Sequence, residues 1–384
     1  MTMEIPKESI PVTARGLASW PELEKKTEKV AWNDLQRIDS RGMLAAVAGF
    51  PDQCRAAAAT GQGLFVPPDW RPRNIVFTGM GGSAVGGELA AGLVNSIGPV
   101  PAIPVRGYEL PPWVGSDTLA VVTSYSGETE ETLTAFRQAV GANAMILAVT
   151  SGGRLADEAA GLQTRGYPAV LCKIPGGLAP RAALGYLLVP VLVFLGRLGL
   201  VRNQEPAITE SIELVSTLAQ DHGWTRTLAL AVHAALEAGA PVVVYGSGNL
   251  GQTVAYRWQT QCNENAKALV HHHGFPEMCH NEIMGWEGHP EPSRAAPGAA
   301  VAIMLHTGYD HPRNALRADI VAGIISKKAA IFDVTARGDL LLAQVLYLVY
   351  AGDWVSTYLA LLRGYDPVSI ASIELLKQKL AGHH

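Results

Sequence analysis

Charge is what this sequence has least of. Only 17% of its 384 residues are Asp, Glu, Lys or Arg, against roughly 25% in ordinary soluble domains. With 48% hydrophobic residues, that scarcity excludes a disordered chain, which is charge-rich and poor in apolar residues. Neither sign dominates: 30 basic and 34 acidic residues leave a net charge of −4, so no basic field exists to hold nucleic acid. Cysteine is rare as well. Cys54, Cys172, Cys262 and Cys279 lie far apart without CxxC spacing, the pattern of reduced, mostly buried thiols in a cytoplasmic protein. No apolar run reaches the roughly 18 to 20 residues that cross a bilayer. The longest, Ala182 to Leu195, contains Pro190 and runs into Arg197, while Leu340 to Tyr350 carries Gln344. Both read as buried core helices, and no membrane partner is expected. The opening residues MTMEIPKESIPVT lack a basic start followed by an apolar stretch, so no secretory leader is expected either.

What the chain has in quantity is glycine, 40 residues, with 24 prolines. That excludes a coiled coil and, alongside abundant Ala and Val, points to tight turns between buried parallel strands. At roughly 150 residues per domain, the length suggests two domains. Residues 1–70 read as a helical, amphipathic lead-in packing on the first domain. Short β-rich runs then recur at Asn74 to Phe77, Ile103 to Val105, Leu119 to Thr123, Met145 to Thr150 and Ala169 to Cys172, spaced for crossover helices. The second half repeats the plan, with strands expected at Pro241 to Tyr245, Lys267 to Val270, Ala299 to Leu305 and Ala329 to Val334. This alternation predicts an α/β fold of two tandem doubly wound parallel sheets flanked by helices. Residues 71–200 form the first domain, 201–225 a linker helix and 226–384 the second domain, with internal duplication of one fold suggested.

Each half carries a glycine turn between a strand and a helix. Gly246-Ser247-Gly248-Asn249-Leu250-Gly251 matches GxGxxG, and Gly79-Met80-Gly81-Gly82-Ser83-Ala84 matches GxGxxA, so a nicotinamide dehydrogenase must be considered. Such a site also needs an acid ending the next strand, about 20 residues on. Glu109 lies too far past its strand, and Glu264 precedes its strand. The second turn reads as readily as a strand–helix packing device. The first turn differs because Ser83 follows its glycines, and a helix N-terminus with a hydroxyl is an anion site. Thr123-Ser124-Tyr125-Ser126-Gly127-Glu128-Thr129 then leaves a buried strand where another helix starts. Capping that helix needs one hydroxyl. Ser124, Ser126 and Thr129 supply three, enough to converge on one phosphate.

At these residues the sequence resembles the sugar isomerase (SIS) fold, and with later segments it resembles the bifunctional phosphoglucose/phosphomannose isomerases of the phosphoglucose isomerase superfamily. The segments that carry the resemblance are the Gly79–Ala84 and Ser124–Thr129 turns, Ala179-Pro180-Arg181-Ala182-Ala183-Leu184-Gly185, Asn263-Glu264-Asn265-Ala266-Lys267, His280-Asn281-Glu282-Ile283 and Leu375-Leu376-Lys377. The two hydroxyl turns are shared by many sugar-phosphate proteins; Asn-Glu-Asn-Ala-Lys followed by His-Asn-Glu-Ile is far more specific.

The resemblance implies interconversion of glucose 6-phosphate and mannose 6-phosphate with fructose 6-phosphate through an enediol. Glu264 is then the base that moves a proton between C1 and C2; on its residues alone it would pass as a helix-end carboxylate paired with Lys267. His280 matches the histidine that assists ring opening, reaching in from a neighbouring subunit, which implies a homodimer. Arg181 matches the arginine that stabilises the enediolate. Lys377 matches a lysine tied to ring opening, though alone it reads as one solvated charge on a final amphipathic helix. The phosphate falls to Gly82, Ser83, Ser124, Ser126 and Thr129. A proton transfer of this kind implies no cofactor and no metal.

Two departures from the family pattern bear on this. Gln259 stands where a lysine is expected after Arg257-Trp258, and Asp366-Pro367-Val368-Ser369 lacks a threonine after its proline, which bears on the preference between glucose and mannose. His271-His272-His273 suggests a metal beside Glu277 and Cys279, but neighbouring strand side chains alternate across its faces, and no zinc spacing is present. A SIS module that senses a sugar phosphate without catalysis is the competing reading. It needs the hydroxyl turns but neither Glu264 nor His280.

Overall fold

The apolar runs of the sequence become two five-stranded sheets in the computed structural model, which describes residues 10–292 and 299–382. The first nine residues, most of the stretch read for a leader, lie outside the described residues. Within the described residues the chain divides into two units. One runs to Val47, resumes over Gln220–Arg337 and continues from Tyr347; the other comprises Ala48–Ala219 and Gly338–Leu346.

In chain order the first unit opens with β1 (Val12–Gly16), α1 (Trp20–Thr27), α2 (Trp32–Leu35) and α3 (Met43–Ala48). The other unit then follows from α4 (Phe50–Gly63), where Pro51 sits in the first turn and its missing N–H leaves no gap. Its alternating elements are β2 (Asn74–Thr78), α5 (Gly82–Ile97), β3 (Ala102–Val105), β4 (Thr118–Thr123), α6 (Glu130–Gly141), β5 (Met145–Thr150), α7 (Gly153–Thr164), β6 (Ala169–Lys173), α8 (Leu184–Arg197) and α9 (Glu205–Gln220). All five strands are parallel, in the order β3-β2-β4-β5-β6. Every residue of β4 and β5 is buried, as expected where helices cover both faces. This order reverses direction at β2, so the crevice at the ends of β2 and β4 is where such folds bind ligands.

The first unit resumes with α10 (Gly223–Glu237), β7 (Val242–Ser247), α11 (Gly248–Ala266), β8 (His271–Phe275), α12 (Ile283–Gly288), β9 (Ala300–His306), α13 (Pro312–Ile325), β10 (Ala329–Thr335), α14 (Leu341–Leu362) and α15 (Ala371–Ala381). Its sheet order is β1-β10-β9-β7-β8. The four strands β8, β7, β9 and β10 are parallel and repeat the order β3-β2-β4-β5 of the other sheet. The place of β6 is taken by β1, which pairs antiparallel with β10. The duplication is thus visible in topology.

Three sequence expectations change. The lead-in is neither wholly helical nor confined to the first domain, because β1 pairs Val12 with Val334 and Ala14 with Phe332. Arg15 donates through Nε and Nη2 to the Asp333 carboxylate, a long-range pair that local periodicity does not reveal. The strand expected from Lys267 begins instead at His271. Lys267 closes α11 in the left-handed conformation, φ 51°, with Nζ donating to the carbonyls of Glu264 and Asn265 at 3.0 and 3.1 Å. The last apolar run does not end at Tyr350 but continues through Asp353 to Leu362, 22 residues in all. It is the one helix among the described residues long and apolar enough to cross a membrane, yet 94% of its most apolar window is buried inside the protein.

Candidate active site

The first group of predicted residues gathers at the switch point of the sheet β3-β2-β4-β5-β6. β2 ends at Thr78; at Gly79, which follows it, a Cβ would lie 2.8 Å from Thr123 O, and Gly81 turns the chain with φ 55°. Gly82 opens α5 so close to the Arg181 turn that a Cβ there would stand 2.8 Å from both Arg181 N and Cα. Only glycine permits that approach. Ser83 is buried and its Oγ accepts from Tyr125 N at 3.1 Å. Ser124, also buried, shares a hydroxyl–hydroxyl bond with Thr129 at 3.0 Å and accepts from Gly127 N at 3.1 Å. Gly127, at φ 71°, passes Gly152 O where a Cβ would be only 1.9 Å away.

Thr129 is the N-cap residue of α6 but makes no side-chain cap bond. Ser126, the residue a simple capping account would use, is exposed and accepts from Glu128 N at 3.2 Å instead. The hydroxyls therefore do not serve as caps. Ser83 at the start of α5 bonds the backbone of Tyr125, next to Ser124, and Ser124 bonds Thr129 at the start of α6; hydroxyls beside the positive ends of two helix dipoles make a cradle that suits a phosphate dianion. The acid in this turn, Glu128, is already countered: Arg154 donates to it through N and Nε at 2.8 and 2.7 Å. Those bonds, led by the one from the Arg154 backbone, hold its carboxyl below the ordinary range.

Arg181 lies in a short 3-10 turn, Pro180–Ala182, ahead of α8 and is 2% exposed. Gln53 of α4 secures the turn by donating to Ala182 O at 2.8 Å. A guanidinium stays protonated even when buried, so the turn whose backbone packs on Gly82 at the start of α5 carries a fixed positive charge.

The remaining predicted residues belong to the other unit. Glu264 is half-buried in the last turn of α11. That helix is held by polar contacts to α14: Arg257 to Asp353, Gln261 Nε2 to Asp353 Oδ1 at 2.8 Å, and Asn265 Nδ2 to Ser356 Oγ at 3.0 Å. Trp258 adds a bond from Nε1 to Leu348 O at 2.8 Å. Lys267 Nζ also donates to Asp366 O at 3.1 Å, tying the end of α11 to the loop before α15. Sequence reasoning passed over Asp353; its signal was a lone acid within an apolar helix, which requires a partner.

His280 ends a short 3-10 turn after β8 and is exposed. Its segment is anchored two residues on, where Tyr245 OH donates to Glu282 Oε1 and Trp286 Nε1 donates to Tyr245 OH at 2.9 Å. Burial first, and then the Glu282 charge, pushes the Tyr245 phenol far up. Lys377 sits on α15, whose residues 371–380 are exposed along the whole helix. Gln259, where a lysine was expected, meets His272 Nδ1 at 2.5 Å.

The second glycine turn is a packing device. A Cβ on Gly246 would lie 1.9 Å from Gly251 O, so the first and last glycines of the GxGxxG match let the strand end and the helix start touch. The three histidines fall on β8, and no group of three or more His, Cys, Asp or Glu able to hold a metal occurs among the described residues.

The chain is similar to known proteins over most of its length. The profile of the "Bacterial phospho-glucose isomerase C-terminal SIS domain" matches residues 225–380, and that of the SIS domain matches residues 70–173. The chain is 36% identical over 345 residues to the bifunctional phosphoglucose/phosphomannose isomerase of Caldicellulosiruptor bescii, covering 88% of this chain and 99% of that one. It is 35% identical over 314 residues to the protein of the same name from Aquifex aeolicus, covering 81% and 91%. A crystal structure of a hypothetical protein from Thermus thermophilus superposes with a TM-score of 0.73 at 15% identity, over 97% of this chain and 99% of that one, and shares the fold.

Proposed function

Because this chain belongs to the bifunctional phosphoglucose/phosphomannose isomerase family, we propose that it interconverts glucose 6-phosphate and mannose 6-phosphate with fructose 6-phosphate. The observation that carries the reading is the cradle of Ser83, Ser124 and Thr129 at the start of two helices, with the Arg181 turn packed against Gly82. It pairs an anion anchor with a fixed cation. An aldose–ketose isomerase needs both, one for the phosphate and one for the charge that develops at C1 and C2.

Glu264 removes the proton from C2 of the aldose and returns it to C1, since one carboxylate reaches both carbons of the cis-enediol. Arg181 stabilises the enediolate. The ring opens beforehand with His280, donated by the partner subunit of a homodimer, and with Lys377 at the ring oxygen. The overall step moves one proton between carbons and one between oxygens, so no electron acceptor is required.

The deciding experiment incubates purified protein with each aldose phosphate in chelator-treated buffer and measures fructose 6-phosphate. Formation from both is expected. Tight binding of fructose 6-phosphate without turnover would make the protein a sensor, and a thermal shift with NAD(P) would revive the dehydrogenase reading.

A further inference from the structure

Tyr125 occupies the middle of the hydroxyl turn, yet its own polar groups face protein segments. Its N–H donates to Ser83 Oγ at 3.1 Å, at the start of α5. Its carbonyl accepts from Ser151 N at 3.1 Å and from Ser151 Oγ at 2.7 Å, in the turn after β5. Its phenol oxygen accepts from Leu178 N at 3.0 Å, three residues before Arg181. The side chain is 6% exposed.

The link from Leu178 to Arg181 is short and stiff. Pro180 fixes its own φ and restricts Ala179. Ala182 N closes back on Ala179 O at 2.8 Å and Ala183 N on Pro180 O at 3.2 Å. Whatever holds Leu178 therefore sets where the Arg181 turn begins, relative to a phosphate cradle that the same tyrosine holds through its backbone.

We propose that Tyr125 is a positioning residue whose phenol registers the Arg181 guanidinium against the phosphate cradle. This rests on the isomerase reading above. A substrate anchored by its phosphate presents C1 and C2 at a fixed reach from the anchor, so the arginine must be held at a matching distance. Misplacement by about 1 Å costs up to about a hundredfold in rate. Burial pushes the phenol's ionisation upward, so it acts as a neutral acceptor throughout the working pH range and takes no part in proton transfer.

Tyr125→Phe removes one oxygen and leaves every hydroxyl of the cradle in place. It is expected to lower kcat by about tenfold to a hundredfold, with KM and competitive inhibition by inorganic phosphate each within about twofold of wild type. The pH profile keeps its shape, and the Leu178 amide exchanges hydrogen faster. In the Tyr125→Phe background, Arg181→Lys costs less than it does alone, because the two changes act on one group. An unchanged kcat overturns the proposal, and so does a phosphate inhibition constant that rises in step with the loss of kcat. A wild-type protein inactive on both aldose phosphates removes this inference and the isomerase reading together, whereas an active wild type with an equally active variant removes only this inference.

Discussion

Arg257 and Asp353 form a bidentate ion pair inside the protein, Nη2 to Oδ2 at 2.8 Å and Nε to Oδ1 at 3.1 Å, with side chains 1% and 7% exposed. Gln261 supplies a third donor to the same carboxylate. This joins α11, which carries Glu264 in its last turn, to α14. Removing one partner strands the other charge in a dry site, a loss of about 3–5 kcal/mol. Asp353→Ala is therefore expected to lower the thermal midpoint sharply. Arg257→Met with Asp353→Leu should cost less than Asp353→Ala alone, because no charge is left unpaired. A calorimetric scan decides it; a double variant weaker than the single one would refute the account.

Ser124 and Ser126 are two residues apart but differ in burial. Ser124 is buried and bonded to Thr129 and Gly127, while Ser126 is exposed. A hydroxyl donating to a charged oxygen contributes about 1.5–3 kcal/mol, equal to a tenfold or greater change in affinity. Ser124→Ala is expected to raise KM for the sugar phosphate about tenfold, and Ser126→Ala by less than about threefold. Steady-state KM values for the two variants test this ranking, and equal increases would contradict it.

Asp333 gives a pH dependence whose sign can be worked out. Burial alone would raise its carboxyl, but hydrogen bonds from His306 Nε2 and from Arg15 outweigh it and hold the group below the ordinary range. Its folded value is thus lower than the unfolded one, near 3.9. The stabilisation is complete above that unfolded value and is lost as pH falls toward the folded one. Asp333→Asn should destabilise by about 2 kcal/mol at pH 7, with the difference narrowing below about pH 4. Denaturant titrations at pH 7 and pH 3 measure this. A penalty that stays constant across that range would place its origin outside the ionised carboxylate.

Local pattern found the fully buried central strands β4 and β5 and also the edge strands β3 and β6 of the same sheet. Met145 to Thr150, apolar up to Val149, reads as a strand and is β5 to the residue. What the pattern missed depended on distant partners. β1 gains its pairing from β10, more than 300 residues away in sequence, with Arg15 held by Asp333. α14 continues past Tyr350 because Arg257 neutralises Asp353, which in sequence looks like the end of an apolar run. Three histidines hid β8, which lies at the edge of its sheet beside β7. The hydroxyls proposed to hold phosphate could be picked out in sequence because strand end, glycine and helix start lie within one short segment. The role proposed for Tyr125 could not, because its phenol bonds a backbone N–H 53 residues on.

The last prediction concerns Glu264 and His280 together. Glu264→Gln keeps the size of the side chain and removes its basicity, so kcat should fall by about 10²–10⁴ while the substrate still binds. His280→Ala should also be nearly inactive on the cyclic sugar. If each site takes Glu264 from one subunit and the partner subunit's His280, mixing the two inactive variants creates hybrid dimers. In a hybrid, the Glu264 of the His280→Ala chain meets the intact histidine of the Glu264→Gln chain, and one of the two sites is whole. Random exchange makes about half the dimers hybrid, so about a quarter of wild-type activity should return. The recovery must build up with the rate of subunit exchange, followed by activity against time after mixing. Were both residues supplied by one chain, every site would lack a group and the mixture would stay inactive, which would refute the shared-site arrangement while leaving the Glu264 assignment to stand on its own variant.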